Sequence, residues 1–377
     1  MNRSLKYSVS LLSALAMAAT LPTIPLHAQL SPNATVFASG LQGPRGLKFG
    51  PDGKLYVAEA GTGGLTSTAG TCAQVVPPIG PYTNGNTSRI SRIDRGGERS
   101  TVATGFPSAQ GATGDVQGVA DVAFLDGKLY AVLAGAGCSH GSALVPNSIV
   151  HVDTSTGTWK IVADLSDFIQ IHPAMYVDSA DFEPDGVFYS LIADNDLLYT
   201  VEPNHGQVFS VSPQGAIHQA VDVSEAEGHI VPTSIAEKDG KFYVGNLGLF
   251  PITPQSSKIL TLSHEACRWP FVAGLGCSDD LKKLKVAGSR AGFTTVVAVD
   301  YGPDGLLYAL ELSPASGFPT PGLGNVVRLN RSGAIEVVAY GLSVPTGMTF
   351  GPDGALYVSN FGAAPAGAGQ ILRITVP

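Results

Sequence analysis

One phrase governs what this chain can fold into. Asp-Gly, any residue, an apolar residue and then an aromatic recurs six times, beginning at Asp52, Asp126, Asp185, Asp239, Asp304 and Asp353. Asp-Gly between two apolar runs is a strong hairpin signal, because Gly supplies positive φ and Asp tolerates it. An apolar strand precedes each turn, as at 46–49 and 347–350, and another follows it. After a variable loop comes a third strand, at 89–94, 148–153, 207–212, 258–263, 325–330 and 370–375. Five copies add a fourth, at 101–104, 160–164, 218–223, 284–287 and 336–340. The sixth copy ends at Pro377 without one, while an orphan strand stands near the start, Thr35 to Ser39. The orphan is followed by Gly40-Leu41 just as the 336–340 strand is followed by Gly341-Leu342. It can therefore complete the last sheet and close a ring. The expected fold is all-β: one six-bladed β-propeller of four-stranded blades over 29–377.

Composition agrees. With Gly 46, Pro 26 and only 14% charged residues, the chain does not read as a helical bundle or coiled coil. At 44% hydrophobic it carries enough apolar surface to fold. A net charge of −8 argues against a nucleic-acid partner, which calls for a basic stripe. The nearest approach to one, Lys282-Lys283-Leu284-Lys285, reads as a solvated loop or strand edge.

Residues 1–28 read as a secretory signal peptide: Arg3 and Lys6, an uncharged apolar stretch from Val9 to Thr20, then Leu26-His27-Ala28 as a cleavage site. No later stretch is long enough to span a bilayer. The protein is expected to be secreted or periplasmic, and a monomer. Export permits disulfides. Cys267 and Cys277 fall in one loop of the fourth copy, and Cys72 and Cys138 in same-face loops of adjacent copies, so the expected bridges are 267–277 and 72–138.

The segment Arg45-Gly46-Leu47-Lys48-Phe49-Gly50-Pro51-Asp52-Gly53-Lys54-Leu55-Tyr56-Val57-Ala58-Glu59 resembles the NHL and TolB-like propeller repeats. With Asp181-Phe182-Glu183-Pro184-Asp185-Gly186 and Gly245-Asn246-Leu247-Gly248-Leu249-Phe250-Pro251, the whole mature chain is similar to the ScyD/ScyE family, exported proteins named from scytonemin-pigment gene clusters. The resemblance implies export and a part in processing an aromatic secondary metabolite. It carries no catalytic motif that maps onto this chain.

The hairpin turns are minimal, whereas the opposite loops are long: 60–87, 134–147, 193–206, 247–257, 312–323 and 361–369. Long loops on a rigid scaffold are where function concentrates. Aligning the copies gives a column three residues past each aromatic: Glu59, Leu133, Ile192, Asn246, Glu311 and Asn360. Symmetry predicts that these meet at the channel mouth, so Glu59, Asn246, Glu311 and Asn360 are candidate ligand-binding residues. Glu59 and Glu311 are candidate ligands for Ca²⁺ or another hard cation. The alternative is that these groups tie down neighbouring backbone. At the strand entrances, Arg45, Asp121 and Asp178 are further candidates. The loop histidines His140, His172, His205 and His229 lack metal-ligand spacing and read as solvated or capping residues. Gly137-Cys138-Ser139-His140-Gly141 matches G-x-S-x-G, but the motif needs a strand-to-helix turn and here sits between strands.

Three functions follow as rivals. The first is a propeller binding or processing a small ligand, in the ScyD/ScyE manner. The second is an envelope scaffold that binds another protein. The third is a metal-dependent lactonase or hydrolase, by fold-level analogy.

Overall fold

A computed structural model describes residues 29–265, 283–363 and 366–377. The proposed signal peptide and the Cys267–Cys277 bridge lie outside the described residues.

The described chain forms six antiparallel sheets, one per blade. Blade one is Pro44–Phe49, Leu55–Glu59, Thr83–Ile93 and Arg99–Gln110, with the short Val116–Gln117 added at its edge. Blade two is Val119–Leu125, Lys128–Leu133, Ser148–Val152 and Trp159–Asp164. Blade three is Ser190–Asp194, Leu197–Glu202, Gln207–Val211 and Ile217–Asp222. Blade four is Pro232–Lys238, Lys241–Asn246, Ser257–His264 and Leu284–Phe293. Blade five is Val296–Tyr301, Leu307–Glu311, Gly324–Leu329 and Ile335–Leu342. Blade six is Gly347–Phe350, Leu356–Asn360 and Gly369–Ile374, completed by Ala34–Leu41 from the start of the chain. The closure is as the orphan strand predicts: Thr35 pairs with Arg373 and Ser39 with Gln370. Asn33 adds a second tie, donating from Nδ2 to the carbonyls of Val338 and Thr375, each at 3.0 Å.

Among the described residues the core is six apolar clusters, one at each seam between blades, with a small seventh of Val75, Tyr82 and Ala109 under the long loop of blade one. The repeated motif explains the seams. The motif tyrosine of one blade meets an aromatic of the next blade edge-on, with ring centroids 5.0 Å apart, at Tyr56–Phe124, Tyr243–Tyr301, Tyr308–Phe350 and Tyr357–Phe49. In three blades the tyrosine hydroxyl donates to the turn aspartate: Tyr56 to Asp52, Tyr308 to Asp304 and Tyr357 to Asp353. An arginine from the third strand pairs with each of those aspartates: Arg92, Arg328 and Arg373. The Gly before Pro-Asp-Gly is required for the same reason. A Cβ on Gly50 would lie 2.6 Å from the Tyr56 ring.

Blade three departs from the sequence reading. Asp185-Gly186 is not its hairpin; the turn is Asn195-Asp196, and 197–202, expected as loop, is the second strand. Asn195 takes a positive φ, 49°, as Asp126 and Asp239 do at 50° and 54° in the turns of blades two and four, and Asn tolerates it as Asp does. The chain also forms two short helices beyond the expected strands, Leu165–Ile171 and Val223–Glu227, each capped by the aspartate that ends a fourth strand. Asp164 accepts from the Asp167 N–H and Asp222 from that of Glu225.

The 72–138 bridge forms, with Cα atoms 6.3 Å apart and a sequence separation of 66. It stitches the long loop of blade one to blade two. Chain-entropy reasoning gives a loop of that length roughly 4 kcal/mol of stabilisation. Replacing both cysteines by Ala should lower the denaturation midpoint accordingly, read by urea titration of the oxidised protein. An unchanged midpoint would mean that the long loop is held by its hydrogen bonds alone.

Candidate functional site

The first strand of each blade lines the central channel, and it enters from the long-loop face. Small residues fill the equivalent positions: Gly46, Ser190, Ser234, Ala298 and Gly347, with Asp121 in blade two. The side chain of Asp121 fills the space beside Gly46, where an added Cβ would sit 1.8 Å from its Oδ1. The free space left inside is about 30 Å³, room for a water or two. Burial pushes the Asp121 carboxyl up to about 6, against the opposing pull of the Lys48 ammonium. Its oxygens accept the Val122 and Leu191 N–H groups, each at 2.8 Å. Tyr189 spans the ring, its hydroxyl donating to the Thr346 carbonyl at 3.0 Å. Burial pushes that phenol up to about 12, with the Arg45 guanidinium opposing the shift. Arg45 donates to the Val116 carbonyl and stays partly exposed.

Beside this mouth stands a chain of polar side chains from three blades. Tyr82 donates to Asp115 at 2.7 Å, and its ring lies 4.8 Å from that of His140. His140 is fully buried and pairs through Nε2 with Glu183 at 2.7 Å. Burial raises the Glu183 carboxyl, with the bond to His140 opposing. His205 reaches the Glu183 carbonyl, 3.1 Å, and His229 pairs with Asp181, 2.9 Å. The Asp181 contact raises the His229 imidazole above its ordinary value. Three of the four loop histidines thus belong to one network; His172 stands apart, stacked on Phe168.

The column expected to converge on the mouth is arranged differently. Glu59 is fully buried and turned into its own blade, held by Arg89 at 2.7 Å, Arg99 at 3.3 Å, the Ser91 hydroxyl and the Gln42 N–H. Glu311 accepts the Thr294 N–H, Asn360 that of Ser343, and Asn246 that of Lys258, each at 2.7 Å. The missing member is Glu202, which accepts the Val187 N–H at 2.8 Å. The misread hairpin put Ile192 in its place. In four blades the last residue of the second strand therefore clamps backbone about to enter the first strand. Glu59 and Glu311 each serve a separate blade and share no opening for a cation. Among the described residues no three His, Cys, Asp or Glu side chains stand together as a metal site would need. Asp178 lies not at a strand entrance but in the connection before blade three, where it accepts the Ala180 N–H. The true entrance residue there is Tyr189.

Ser139 of the G-x-S-x-G match is buried in a short 3₁₀ turn, Cys138–His140, and its hydroxyl donates to Asp185 at 2.6 Å. It is not presented to a substrate. An apolar rim stands exposed on the long-loop face: Leu65, Leu144, Met175, Tyr176, Phe250 and Phe318. Phe250 and Phe318 stack with centroids 6.2 Å apart, and their loops are joined by the bridge between Ile252 and Gly317.

No protein-family model matches the chain, and no curated protein matches its sequence. Solved structures do match its fold. A glucose dehydrogenase-like oxidoreductase of Thermus thermophilus is 18% identical, with a TM-score of 0.56 over 92% of this chain and 100% of that one. A gluconolactonase of Xanthomonas campestris is 11% identical, with 0.51 over 91% and 89%. A PQQ-bound aldose sugar dehydrogenase of Streptomyces coelicolor is 15% identical, with 0.51 over 93% and 99%. The chain is similar to these six-bladed propellers in fold. Among the described residues no helix is long and apolar enough to cross a membrane.

Two outcomes follow. Glu59→Ala leaves two guanidinium groups and a backbone N–H without their acceptor, and should destabilise by on the order of 3 kcal/mol; Glu59→Gln should cost less. Equal, negligible losses in urea titrations would show that the clamp carries no stability. The raised imidazole of His229 contributes stability below its unfolded value near 6.5, lost as pH rises through the higher folded value. The difference in stability between wild type and His229→Ala should therefore be larger at pH 5.5 than at pH 9. The opposite trend would refute the pairing with Asp181.

Proposed function

We propose that this chain is an exported propeller of ScyD/ScyE type that binds a small organic ligand over the long-loop mouth of its channel. The observation that carries the reading is the mouth itself: Arg45 partly exposed beside Tyr189, which closes the passage beneath. A ligand there rests on the plug and does not thread the ring. The guanidinium offers a fixed cation to a carboxylate or an oxygen-rich group. The exposed Phe250, Phe318 and Tyr176 offer apolar contact on the same face. The gluconolactonase and the PQQ-bound sugar dehydrogenase of like fold are consistent with a small polar ligand.

The network behind the mouth supports this. A scaffold needs no buried polar pair such as His140–Glu183 in its interior, since burying polar groups costs free energy that their hydrogen bond must offset. Here the pair sits behind Tyr82 and Asp115, where it fixes the wall of the mouth. The ligand would contact Arg45 and Tyr189, with Asp121 beneath as the group that holds the entrance of blade three. The exposed apolar rim favours a second reading, an envelope partner docked on the same face.

Thermal-shift screening of the mature protein with aromatic acids, sugar acids and lactones tests the proposal, since a specific ligand stabilises by mass action. At least one class should raise the melting temperature, and Arg45→Ala should weaken that binding about tenfold or more, the usual scale for losing a charge-assisted hydrogen bond. No response across the panel, or full binding in Arg45→Ala, would refute it and leave the docking reading.

A further inference from the structure

We propose a second ligand site on the opposite face, at the seam where the last blade meets the first, suited to a small aromatic carboxylate. A recess of about 420 Å³ opens there on the hairpin side. That volume is within the ordinary range for small-molecule sites, ~300–1,000 Å³. Its walls are Phe37 from the closing strand, Phe49 and Ile93 from blade one, and Tyr357 from blade six. Phe37 and Phe49 both meet the Tyr357 ring edge-on, at 5.1 and 5.0 Å. The recess thus offers aromatic surface at more than one angle to a planar guest.

The charged groups at its rim are unequal. Arg373 is committed, with Nε and Nη2 on Asp353 at 2.9 and 2.8 Å. Asp94 is committed too, accepting the N–H groups of Gly96 and Glu98 within its own turn. Arg95 is exposed and makes no hydrogen bond or ion pair among the described residues. Its Nη2 hangs 3.5 Å from where a side chain on Gly53 would begin, over the opening of the recess. Asp353 is ion-paired with Arg373, and Asp94 is turned onto the N–H groups of its own turn, so the unengaged hydrogen-bond donor at this rim is the Arg95 guanidinium, a group that suits a planar anion.

The corresponding recess between blades four and five shows what is special here. It is smaller, about 290 Å³, and is lined by the equivalent Tyr243, Tyr301, Gly305 and Leu329. The arginine that lines it, Arg290 of the outer strand, donates to the Gly333 carbonyl and so is already engaged, while Arg331, which holds the turn position of Arg95, is not among its walls. The propeller geometry therefore makes the recess; the larger volume and the free guanidinium belong to the closing seam. A guest there would touch both the N-terminal strand and blade one, and so would bridge the junction that closes the ring.

1-Naphthoate is a suitable probe, with 1-naphthalenemethanol as its uncharged counterpart, titrated calorimetrically into the mature protein. Naphthoate should bind at least tenfold more tightly than the alcohol and raise the melting temperature. Arg95→Ala, at an exposed position, should fold normally and reduce naphthoate affinity at least tenfold. Arg45→Ala, on the far face, should leave it unchanged. Equal binding of acid and alcohol, no binding at millimolar probe, or unchanged affinity in Arg95→Ala would overturn the proposal. Loss of binding in Arg45→Ala would place the probe at the long-loop mouth and overturn it equally, while supporting the reading of that mouth.

Discussion

The edge-on contact between a tyrosine of one blade and an aromatic of the next is the interaction on which the ring depends. A four-stranded blade cannot bury both of its faces alone; each face becomes core only when another blade covers it. The motif tyrosine sits at that junction with three attachments: the neighbour's ring, its own turn aspartate and, through the aspartate, an arginine of the third strand. At Tyr357 all three occur together, with Phe49, Asp353 and Arg373. The turn, the strand and the seam are thereby fixed by one side chain. This explains why Asp-Gly, the apolar residue and the aromatic travel as a unit, and why the preceding glycine cannot carry a side chain. Because four of the six seams repeat the arrangement and each seam has its own apolar cluster, the blades need no common core, and the channel can be left to small residues.

That coupling of turn chemistry to packing made the fold legible in the sequence. Five hairpins were readable from Asp-Gly, and the orphan strand Thr35 to Ser39 from the missing outer strand of the last copy. Blade three was misplaced because its real turn uses Asn195 for the positive φ, while an Asp-Gly pair ten residues earlier mimics the motif. A better signal was present in Leu198-Tyr199-Thr200-Val201, which matches the apolar-aromatic run of the other copies. The site was less legible. Position along a strand is periodic, but the direction taken by the side chain that follows it is not. Glu59 turns outward because Arg89, Ser91 and Arg99 lie on the third and fourth strands of its blade, and no spacing rule reports that. The network of Tyr82, Asp115, His140 and Glu183 is built from loops of three blades, so its members share no sequence neighbourhood.

Buried polar groups divide here into two kinds. The clamps at Glu59, Glu202, Glu311 and Asn360 each satisfy backbone that must enter a first strand, and they recur with the blades. Asp121, His140 and Glu183 have no counterparts in the other blades. They gather on one side of the channel, under the loop that the 72–138 disulfide secures. The asymmetry matters more than the count: a ring built by repetition has been made unequal at one sector, and that sector adjoins the mouth where Arg45 and Tyr189 meet.

The pairing of Ala34–Leu41 with Gly369–Ile374 also sets an order of events. Synthesis runs from the N-terminus, so this strand has no partner until all six blades have followed it. Until then Phe37, Ala38 and Leu41 lack their seam, and the Tyr357 ring lacks one of its two neighbours. Here premature closure is barred by geometry, because the latch and its keeper lie at opposite ends of the thread.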